Sequence, residues 1–366
     1  MKILQLVPGQ LSRGGIGSVV GQLCGSLSEK GHEVTVYELS NEPSESSQFA
    51  KERRFVIRRF EPELGDPFYF PPSSLMRELA QAGVDIIHVH NLNTLLPACV
   101  ALSKNRLPGV LVLQPHYHRQ GQNFLRNLVF SFYKTYLKIS ALGRYDAIVA
   151  NSEHERRTLE EDFPNVKRAL TLIPEEYSVE VPSNAEWKPS HFPRRVLYIG
   201  ALTKYKRVDV IIRAFKILAM TRHDIELVIV GGGCEKRNLR QLSRKLEIDK
   251  QVVMKENLTR EELWREYSST SVVVVLSSLE SFSRVAHEAA AVGVPLVVHN
   301  RGALAELVQA GSALGTETLE PHELAEAINE AVDHTRRKPC AIRTPNGDKY
   351  AVRMLELYQR LRQHHV

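Results

Sequence analysis

Residues Ser271–His299 read SVVVVLSSLESFSRVAHEAAAVGVPLVVH, and this stretch decides the fold. Its valine run predicts a buried strand over Ser271–Leu276, and the apolar spacing after it predicts a helix over Arg284–Val292. Gly-x-Pro then leads into a second strand over Pro295–His299. Apolar, β-branched strands joined by helices are typical of a parallel sheet that is covered on both faces. The stretch therefore predicts a βαβ unit of the α/β class.

The same alternation continues through the rest of the chain, with one break that is rich in proline and has no period. Seven strands are predicted before the break: Lys2–Val7, Glu33–Glu38, Arg54–Phe60, Val84–Val89, Val110–Gln114, Asp146–Ala150 and Leu170–Ile173. Five are predicted after it: Arg195–Ile199, Ile225–Val230, Gln251–Met254, Ser271–Leu276 and Pro295–His299. We therefore predict an N-terminal domain over residues 1–180, a linker over 181–193, a C-terminal domain over 194–345 and a last amphipathic helix within 346–366.

Length and composition bound the function classes. The chain of 366 residues has a net charge of +6, with 43% apolar and 25% charged residues. These values exclude intrinsic disorder, a collagen-like repeat and a small disulfide-stapled scaffold. No apolar run approaches the roughly 18 residues of a membrane-spanning helix, and the N-terminus lacks the pattern of a signal peptide. The four cysteines are far apart, so we expect reduced thiols and a cytoplasmic location.

Two glutamates flank the start of the helix in the quoted stretch. Glu280 lies in the loop after the strand, and Glu288 lies about one turn into the helix. Between them, the backbone N–H groups of Ser281–Val285 would form a helix N-terminus, which favours an anion. Carboxylates beside such a site suit a ligand with both phosphates and hydroxyl groups, such as a nucleotide-sugar. A solvated carboxylate pair is the alternative, and the strand and Gly-x-Pro context favours the ligand site.

Further strand ends carry residues that suit a diphosphate. Lys204, Lys206 and Arg207 follow the first predicted strand of the second domain, where cations could bind phosphate or form a solvated basic turn. Gly231–Gly233 follows the next strand and either permits close backbone approach or forms a plain tight turn. Gly14–Gly17 follows the first strand of the chain without the Gly-x-Gly-x-x-Gly spacing of a dinucleotide loop. This difference ranks a dehydrogenase below a transferase.

Histidines follow two strands of the first domain, namely His88 and His90 after one and His116 and His118 after another. Imidazoles at strand ends could hydrogen-bond a sugar or an acceptor. A structural role is the alternative, and a metal site is not favoured because no carboxylate lies close to them in sequence.

In this order and spacing, the motifs resemble those of one family, the retaining glycosyltransferases of glycosyltransferase family 4 (glycosyl transferases group 1). The resemblance covers nearly the whole chain. It rests on Gly14–Ile16, Gly31–Val34, Asp85–His90, Pro115–His118, Asn151–Glu155, Gly200–Asp209, Val230–Gly233, and Glu280–Glu288 with Gly293 and Pro295. It implies the GT-B fold, in which two Rossmann-like, doubly wound parallel-sheet domains face each other across a cleft. It also implies that the last helix, within 346–366, crosses back to the N-terminal domain.

The resemblance also implies roles for individual residues. A nucleotide-diphosphate sugar, linked to UDP or GDP, would bind mainly to the C-terminal domain, and the acceptor would bind to the N-terminal domain. Glu280 and His116 would be the catalytic residues near the donor sugar. Donor-binding residues would be Gly15, Lys206, Arg207, Gly232, Gly233, Met254, Lys255, Glu256, Phe282, Ser283, Arg284, Val285 and Glu288. No metal and no cofactor are expected, because the cations and the helix dipole would stabilise the diphosphate. The chain departs from the family at Ala201, where Arg is usual, and at Glu256 and Ser283, where Gly is common.

The implied activity is transfer of a hexose, with retention of configuration, to a saccharide or lipid-linked acceptor. Two alternatives stay open: a sugar-nucleotide 2-epimerase on the same fold, and a non-catalytic subunit that binds sugar nucleotides. Nucleic acid is not an expected partner, because no recognised binding module is present.

The basic excess of the chain is local. Residues 86–145 contain seven Lys and Arg and no Asp or Glu, which exceeds the net charge of +6 of the whole chain. Within them, residues 123–142 predict a basic amphipathic helix that could lie on an anionic membrane or pack as an ordinary core helix. We therefore expect an anionic acceptor or peripheral contact of the presumed acceptor domain with the cytoplasmic membrane face.

Overall fold

The computed structural model describes residues 1–11, 14–41, 54–66, 68–119, 133–175, 181–182, 186–190, 192–277, 279–333 and 348–364. The chain divides into two compact units. The N-terminal unit comprises Met1–Ser178 and Pro345–Val366, and the C-terminal unit comprises Val179–Thr344.

The N-terminal unit is built on a parallel sheet of seven strands in the order β3-β2-β1-β4-β5-β6-β7. The strands are β1 (Lys2–Pro8), β2 (Glu33–Leu39), β3 (Val56–Phe60), β4 (Ile86–His90), β5 (Val110–Gln114), β6 (Ala147–Ala150) and β7 (Leu170–Leu172). The order reverses between β1 and β4, as in doubly wound folds that bind ligands at this switch point. All seven predicted strands are present, with bounds that differ by at most two residues.

Helices cover both faces of this sheet. They are α1 (Gly14–Glu29), α2 (Ser73–Gln81), α3 (Leu96–Leu102), α4 (Glu153–Asp162) and the last helix α11 (Asp348–Gln363). Helix α11 packs on α1 in the N-terminal unit, where Tyr350, Met354 and Tyr358 are buried with Leu23 and Cys24. The apolar face of this amphipathic helix therefore packs against α1.

The C-terminal unit repeats the design with six parallel strands in the order β10-β9-β8-β11-β12-β13. Its strands are β8 (Arg194–Ile199), β9 (Ile225–Val230), β10 (Val252–Lys255), β11 (Val272–Val275), β12 (Leu296–His299) and β13 (Leu314–Thr316). Its helices are α5 (Val208–Ala219), α6 (Lys236–Lys245), α7 (Arg260–Ser269), α8 (Arg284–Val292), α9 (Leu304–Gln309) and α10 (Pro321–Asp333). The predicted α/β class with two doubly wound parallel sheets is therefore confirmed. The strand order of this second sheet reverses between β8 and β11, which is the second switch point of the chain.

The structure adds elements that the sequence pattern did not indicate. Strand β13 has three residues and helix α9 has six, too short for a period to be read. Residues 186–190, predicted as linker, are held against the C-terminal unit, because Lys188 N and Ser190 N donate to the carbonyls of Ser268 and Ser269. The first half of the basic amphipathic helix predicted over 123–142 lies outside the described residues, and its described half includes a π-helical turn over Leu137–Ala141.

The local basic excess is partly neutralised by tertiary contacts. Lys104 Nζ lies 2.5 Å from Asp146 Oδ1. Arg119 Nε lies 3.1 Å and Lys134 Nζ 3.5 Å from Asp162 Oδ2. Asp146 and Asp162 come after residues 86–145 in sequence, but the fold places them in contact with basic residues of that segment. No helix in the described part of the chain combines the length and apolarity that crossing a membrane would require.

Candidate functional site

The two residues that flank the second switch point form an ion pair. Lys206 ends a short 3₁₀ turn after β8, and Glu280 lies in the loop after β11. Lys206 Nζ lies 2.5 Å from Glu280 Oε1, although the residues are 74 positions apart in sequence. Burial lowers the pKa of Lys206, but the attraction of Glu280 outweighs this effect, so the pKa is raised and the side chain is cationic. A cation and a carboxylate therefore meet where a ligand of this fold is expected.

The turn that carries Lys206 has unsatisfied polar atoms and strain. Arg207 directly precedes α5 with φ 58°, in the left-handed region that non-glycine residues seldom adopt. Within the described part of the chain, Arg207 Nε and Thr203 Oγ1 are buried without a hydrogen-bond partner. Unpaired buried donors cost free energy, and strained residues cluster at ligand sites. The turn is therefore suited to a ligand that accepts hydrogen bonds.

Helix α8 begins beside this pair. Ser283 precedes it with φ 70° and ψ 80°, and its carbonyl lies 3.0 Å from His287 Nδ1. The Phe282 ring stacks on His287, with centroids 3.9 Å apart. The first-turn N–H groups of Arg284 and Val285 have no partner within the helix, as at any helix start. They offer an anion site one turn from Glu280.

Glu288 is occupied by protein groups. It is 2% exposed, and its Oε1 accepts from Arg260 Nη1 at 2.9 Å and from Arg284 Nε at 3.0 Å. Its Oε2 accepts from the Tyr267 hydroxyl at 2.9 Å. Burial and the carboxylate together raise the pKa of Tyr267 well above its usual value, which keeps this hydroxyl a donor. Arg260 and Tyr267 were missed from the sequence, because no motif marks them and only the packing of α7 against α8 brings them to Glu288.

The remaining predicted donor residues form the turns after β9 and β10. Leu202 N donates to Gly232 O at 2.8 Å, and Gly231 N donates to Lys255 O at 2.9 Å. A Cβ on Gly233 would lie 2.5 Å from the Leu202 carbonyl oxygen, and Gly233 has φ 152°. Packing against the turn after β8 thus requires glycine there.

Charged side chains at the turns after β9 and β10 form ion pairs. Glu256 forms an ion pair with Lys236, and a Cβ on Gly232 would lie 2.8 Å from Glu256 Oε1. Lys255 Nζ lies 2.5 Å from Glu266 Oε1, and Met254 packs against the core of the unit. The structure therefore brings Gly232 and Glu256 together at the carboxyl ends of neighbouring strands.

Gly15 and His116 belong to the N-terminal unit. Gly15 lies in the first turn of α1 and lines a cavity of about 490 Å³ at the carboxyl ends of β1 and β2. Polar groups of Asn41, Asp66 and Tyr69 also line this cavity. Its volume is within the range of small-ligand sites. Sequence reasoning did not identify these three residues, because they come from loops without a recognisable pattern.

His116 is a buried, neutral imidazole at the end of β5. Burial, together with the charge of His118, lowers the pKa of His116 to about 3. Its Nδ1 lies 3.2 Å from Asn151 Nδ2 and 3.8 Å from Glu175 Oε2, and its Nε2 lies 3.5 Å from His90 Nδ1. Near neutral pH it can offer hydrogen bonds but no positive charge. In the described ranges, no group of three His, Cys, Asp or Glu side chains could hold a metal ion.

Comparison with known families matches both halves of the chain. A family model described as Glycosyltransferase Family 4 matches residues 13–175. A second model, described as Glycosyl transferases group 1, matches residues 184–347. Together they span both compact units, including the strand ends described above.

Individual proteins show the same likeness. An uncharacterised glycosyltransferase of Methanocaldococcus jannaschii is 38% identical over 117 residues, which are 32% of this chain and only 30% of that protein. N-acetyl-alpha-D-glucosaminyl L-malate synthase of Bacillus anthracis is 26% identical over 82% of this chain and 79% of its own. Among solved structures, Anabaena HepE in complex with UDP and glucose superposes with a TM-score of 0.71 at 19% identity, over 100% of this chain and 99% of its own.

Proposed function

We propose, since this chain belongs to the glycosyltransferases of family 4 with a group 1 C-terminal domain and has the GT-B fold, that it moves a hexose from a nucleotide-diphosphate sugar to a saccharide or lipid-linked acceptor. The observation that carries this proposal is the Lys206–Glu280 ion pair at the switch point of the C-terminal unit. The donor would be linked to UDP or GDP, as HepE, with a similar fold, is complexed with UDP and glucose.

The ion pair suggests how donor binding prepares the site. The diphosphate would compete with Glu280 for Lys206 Nζ, since phosphate accepts charge-assisted hydrogen bonds strongly. Arg207 Nε and the first-turn N–H groups of α8 would take further phosphate oxygens. Release of Glu280 from Lys206 would leave its carboxylate free to accept from hydroxyls of the donor sugar. Binding of the diphosphate and orientation of the sugar would thus be coupled through one pair of side chains.

Transfer would proceed with retention of configuration. The acceptor hydroxyl would attack the sugar on the face from which the diphosphate leaves, so a carbon–oxygen bond to the acceptor forms as the bond to phosphate breaks, and the hydroxyl proton passes to the departing phosphate oxygen. Lys206, Arg207 and the α8 N–H groups would stabilise the departing charge without a metal. Glu288 would bind the ribose hydroxyls in competition with Arg260, and the backbone of Met254–Glu256 would meet the base. Gly15 and His116 would contribute from the N-terminal unit.

Thermal unfolding with a panel of nucleotides and sugar nucleotides tests the donor part of the proposal. A ligand of the native state at a hundred times its Kd stabilises by about 2.7 kcal/mol, so the matching donor should raise the Tm by several degrees. The same preparation, incubated with the donor and candidate acceptors, should yield a glycoside. A changed sugar nucleotide without acceptor would indicate an epimerase, and binding without any turnover would indicate a binding subunit. No Tm shift with any member of the panel would contradict the proposal.

The acceptor would bind at the N-terminal unit, in the cavity lined by Asn41, Asp66 and Tyr69. A carboxylate, an amide and an aromatic ring are groups that recognise a polyhydroxyl ligand.

Arg106 and Lys138, together with the exposed Leu102 and Tyr136, would allow peripheral contact with an anionic membrane. At low salt, the protein should therefore co-sediment with vesicles that contain anionic lipid and should stay in the supernatant with neutral vesicles. Equal sedimentation with both would contradict membrane contact by charge.

A further inference from the structure

A chain of buried polar side chains joins the last helix of the N-terminal unit to His116. Tyr358 Oη on α11 lies 2.6 Å from His88 Nδ1 and 3.3 Å from Gln5 Nε2. Gln5 Oε1 lies 2.8 Å from His90 Nε2, and His90 Nδ1 lies 3.5 Å from His116 Nε2. All five side chains are at most 5% exposed. The contacts are therefore shielded from exchange with bulk water.

The other end of the chain is anchored by Asn151, which directly follows β6. Its Nδ2 lies 3.2 Å from His116 Nδ1, and its Oδ1 accepts from Gln114 Nε2. Because the amide oxygen of Asn151 accepts from Gln114, its NH₂ group faces His116. A second hydroxyl of α11 closes this end, since Gln114 Nε2 lies 2.7 Å from Tyr350 Oη.

The hydrogen-bond donor and acceptor at each contact can be assigned in order from Asn151 to Tyr358. Asn151 donates to His116 Nδ1, so the single hydrogen of the neutral His116 ring lies on Nε2 and is donated to His90 Nδ1. The hydrogen of His90 consequently lies on Nε2 and is donated to Gln5 Oε1. Gln5 Nε2 donates in turn to the Tyr358 hydroxyl. Each bond in such a series polarises the next, so one orientation of the whole chain is favoured.

We propose that Asn151 and Tyr358 are positioning residues, which hold the ring of His116 in one orientation and one tautomer from the two ends of this chain. The inference rests on the proposed function, in which His116 meets the donor sugar. Both ring nitrogens of His116 are used inside the N-terminal unit. His116 therefore contributes a fixed neutral ring and not a transferable proton, and the last helix of the chain becomes part of the transferase machinery.

Ring ¹⁵N NMR of the full chain, labelled at histidine, reads the tautomers directly. In the wild type, His90 and His116 should both carry hydrogen on Nε2 and stay neutral down to about pH 5. Asn151→Asp replaces the NH₂ donor by a second acceptor, so the hydrogen of His116 should move to Nδ1. We expect kcat for transfer to fall about tenfold, while the KM for the donor stays within about twofold.

Tyr358→Phe tests the opposite end without adding a charge. It leaves Gln5 Nε2 without an acceptor, so the Gln5 amide can rotate and His90 should show a mixture of tautomers. The matched control is Tyr145→Phe, which removes a hydroxyl that is equally buried and donates to the Pro97 carbonyl at 2.7 Å. This control should leave the signals of His90 and His116 and the value of kcat unchanged.

Hydrogen on Nδ1 of His116 in the wild type, or unchanged tautomers in both Asn151→Asp and Tyr358→Phe, would overturn the inference. Equal loss of kcat in Tyr145→Phe and Tyr358→Phe would also overturn it, because the effect would then be structural. If the wild type transfers no sugar while its tautomers are as derived, the proposed function fails and the positioning chain itself stands.

Discussion

Glu280→Gln in the full chain should lower kcat for sugar transfer by about a thousandfold, the upper range seen when one group that stabilises a transition state is removed. The amide keeps the volume of the side chain but loses the charge that faces Lys206 and, in the proposed complex, the donor sugar. The pair is only partly exposed and bridges two loops, so its contribution to stability should be about 1 kcal/mol. Initial rates over a donor titration, with the unfolding midpoint measured in parallel, check both expectations.

Lys206→Gln should weaken donor binding and, because Lys206 would also stabilise the departing diphosphate, lower kcat as well. This variant loses the cation proposed to hold the diphosphate, so we expect a donor KM raised by about a hundredfold, which corresponds to about 2.7 kcal/mol. In contrast, Glu280→Gln should act mainly on kcat. An interchange of these two effects would contradict the assigned roles.

Glu226→Gln is the matched control for these variants. Glu226 Oε1 lies 2.5 Å from Arg195 Nε, the same separation as in the Lys206–Glu280 pair. Glu226 and Arg195 lie near the starts of β9 and β8, so this pair is at the amino ends of the strands, away from the carboxyl ends that carry Lys206 and Glu280. This control should therefore keep full activity. Full activity in Glu280→Gln as well would remove Glu280 from the site.

Acidification from about pH 6.5 to about pH 5 should lower the free energy of unfolding of the N-terminal unit by about 3 kcal/mol through three buried histidines and Glu155. Burial lowers the pKa of His88 and of His116 to about 3, and it lowers the pKa of His90 well below its usual value. At these three histidines the unfolded chain binds protons in this range that the native unit does not bind, so their contribution to stability falls as the pH falls. Burial raises the pKa of Glu155 to about 7.

Glu155 opposes the histidines over the same range. The native unit keeps a proton on this carboxyl between about pH 4.5 and pH 7, whereas the unfolded chain releases it, so the Glu155 contribution falls as the pH rises. Below about pH 6 the net slope from these four residues therefore approaches two protons, three from the histidines less one from Glu155. Hydrogen exchange of the β4 and β5 amides, corrected for intrinsic rates, reports the N-terminal unit separately. A slope below one proton would show that these histidines titrate normally in the native state.

His88→Gln distinguishes the histidine contribution from general acid destabilisation. The variant removes one of the three titrating rings while keeping a polar side chain near Tyr358, so the slope should fall from two protons to one. An unchanged slope would mean that other groups cause the acid sensitivity.

The strands could be predicted from sequence because their signal is local. Val272–Val275 and Val110–Gln114 are continuous apolar runs, and a buried parallel strand requires such runs wherever it lies in the fold. The end of each strand was therefore placed to within two residues, and with it the residues that follow. Those positions identified Lys206, Glu280 and Glu288 as candidates before any contact was known.

The partners of these residues could not be predicted in the same way. Glu288 is held by Tyr267 and Arg260 from a neighbouring helix, and His116 is linked to Tyr358 from the far end of the chain through His90 and Gln5. Each contact depends on which helix packs beside which strand, and no local period contains that information.

The sequence by itself determined the α/β class, the two sheets, the order of their strand-end motifs and the basic bias of residues 86–145. Only the tertiary structure decided how charge and hydrogen bonds are paired. It placed Asp146 and Asp162 against Lys104 and Lys134, which reduces the basic bias, and it joined Lys206 to Glu280 across the switch point. The physical reason is range: periodicity and turn chemistry act between sequence neighbours, whereas an ion pair depends on distance in space, which chain topology sets.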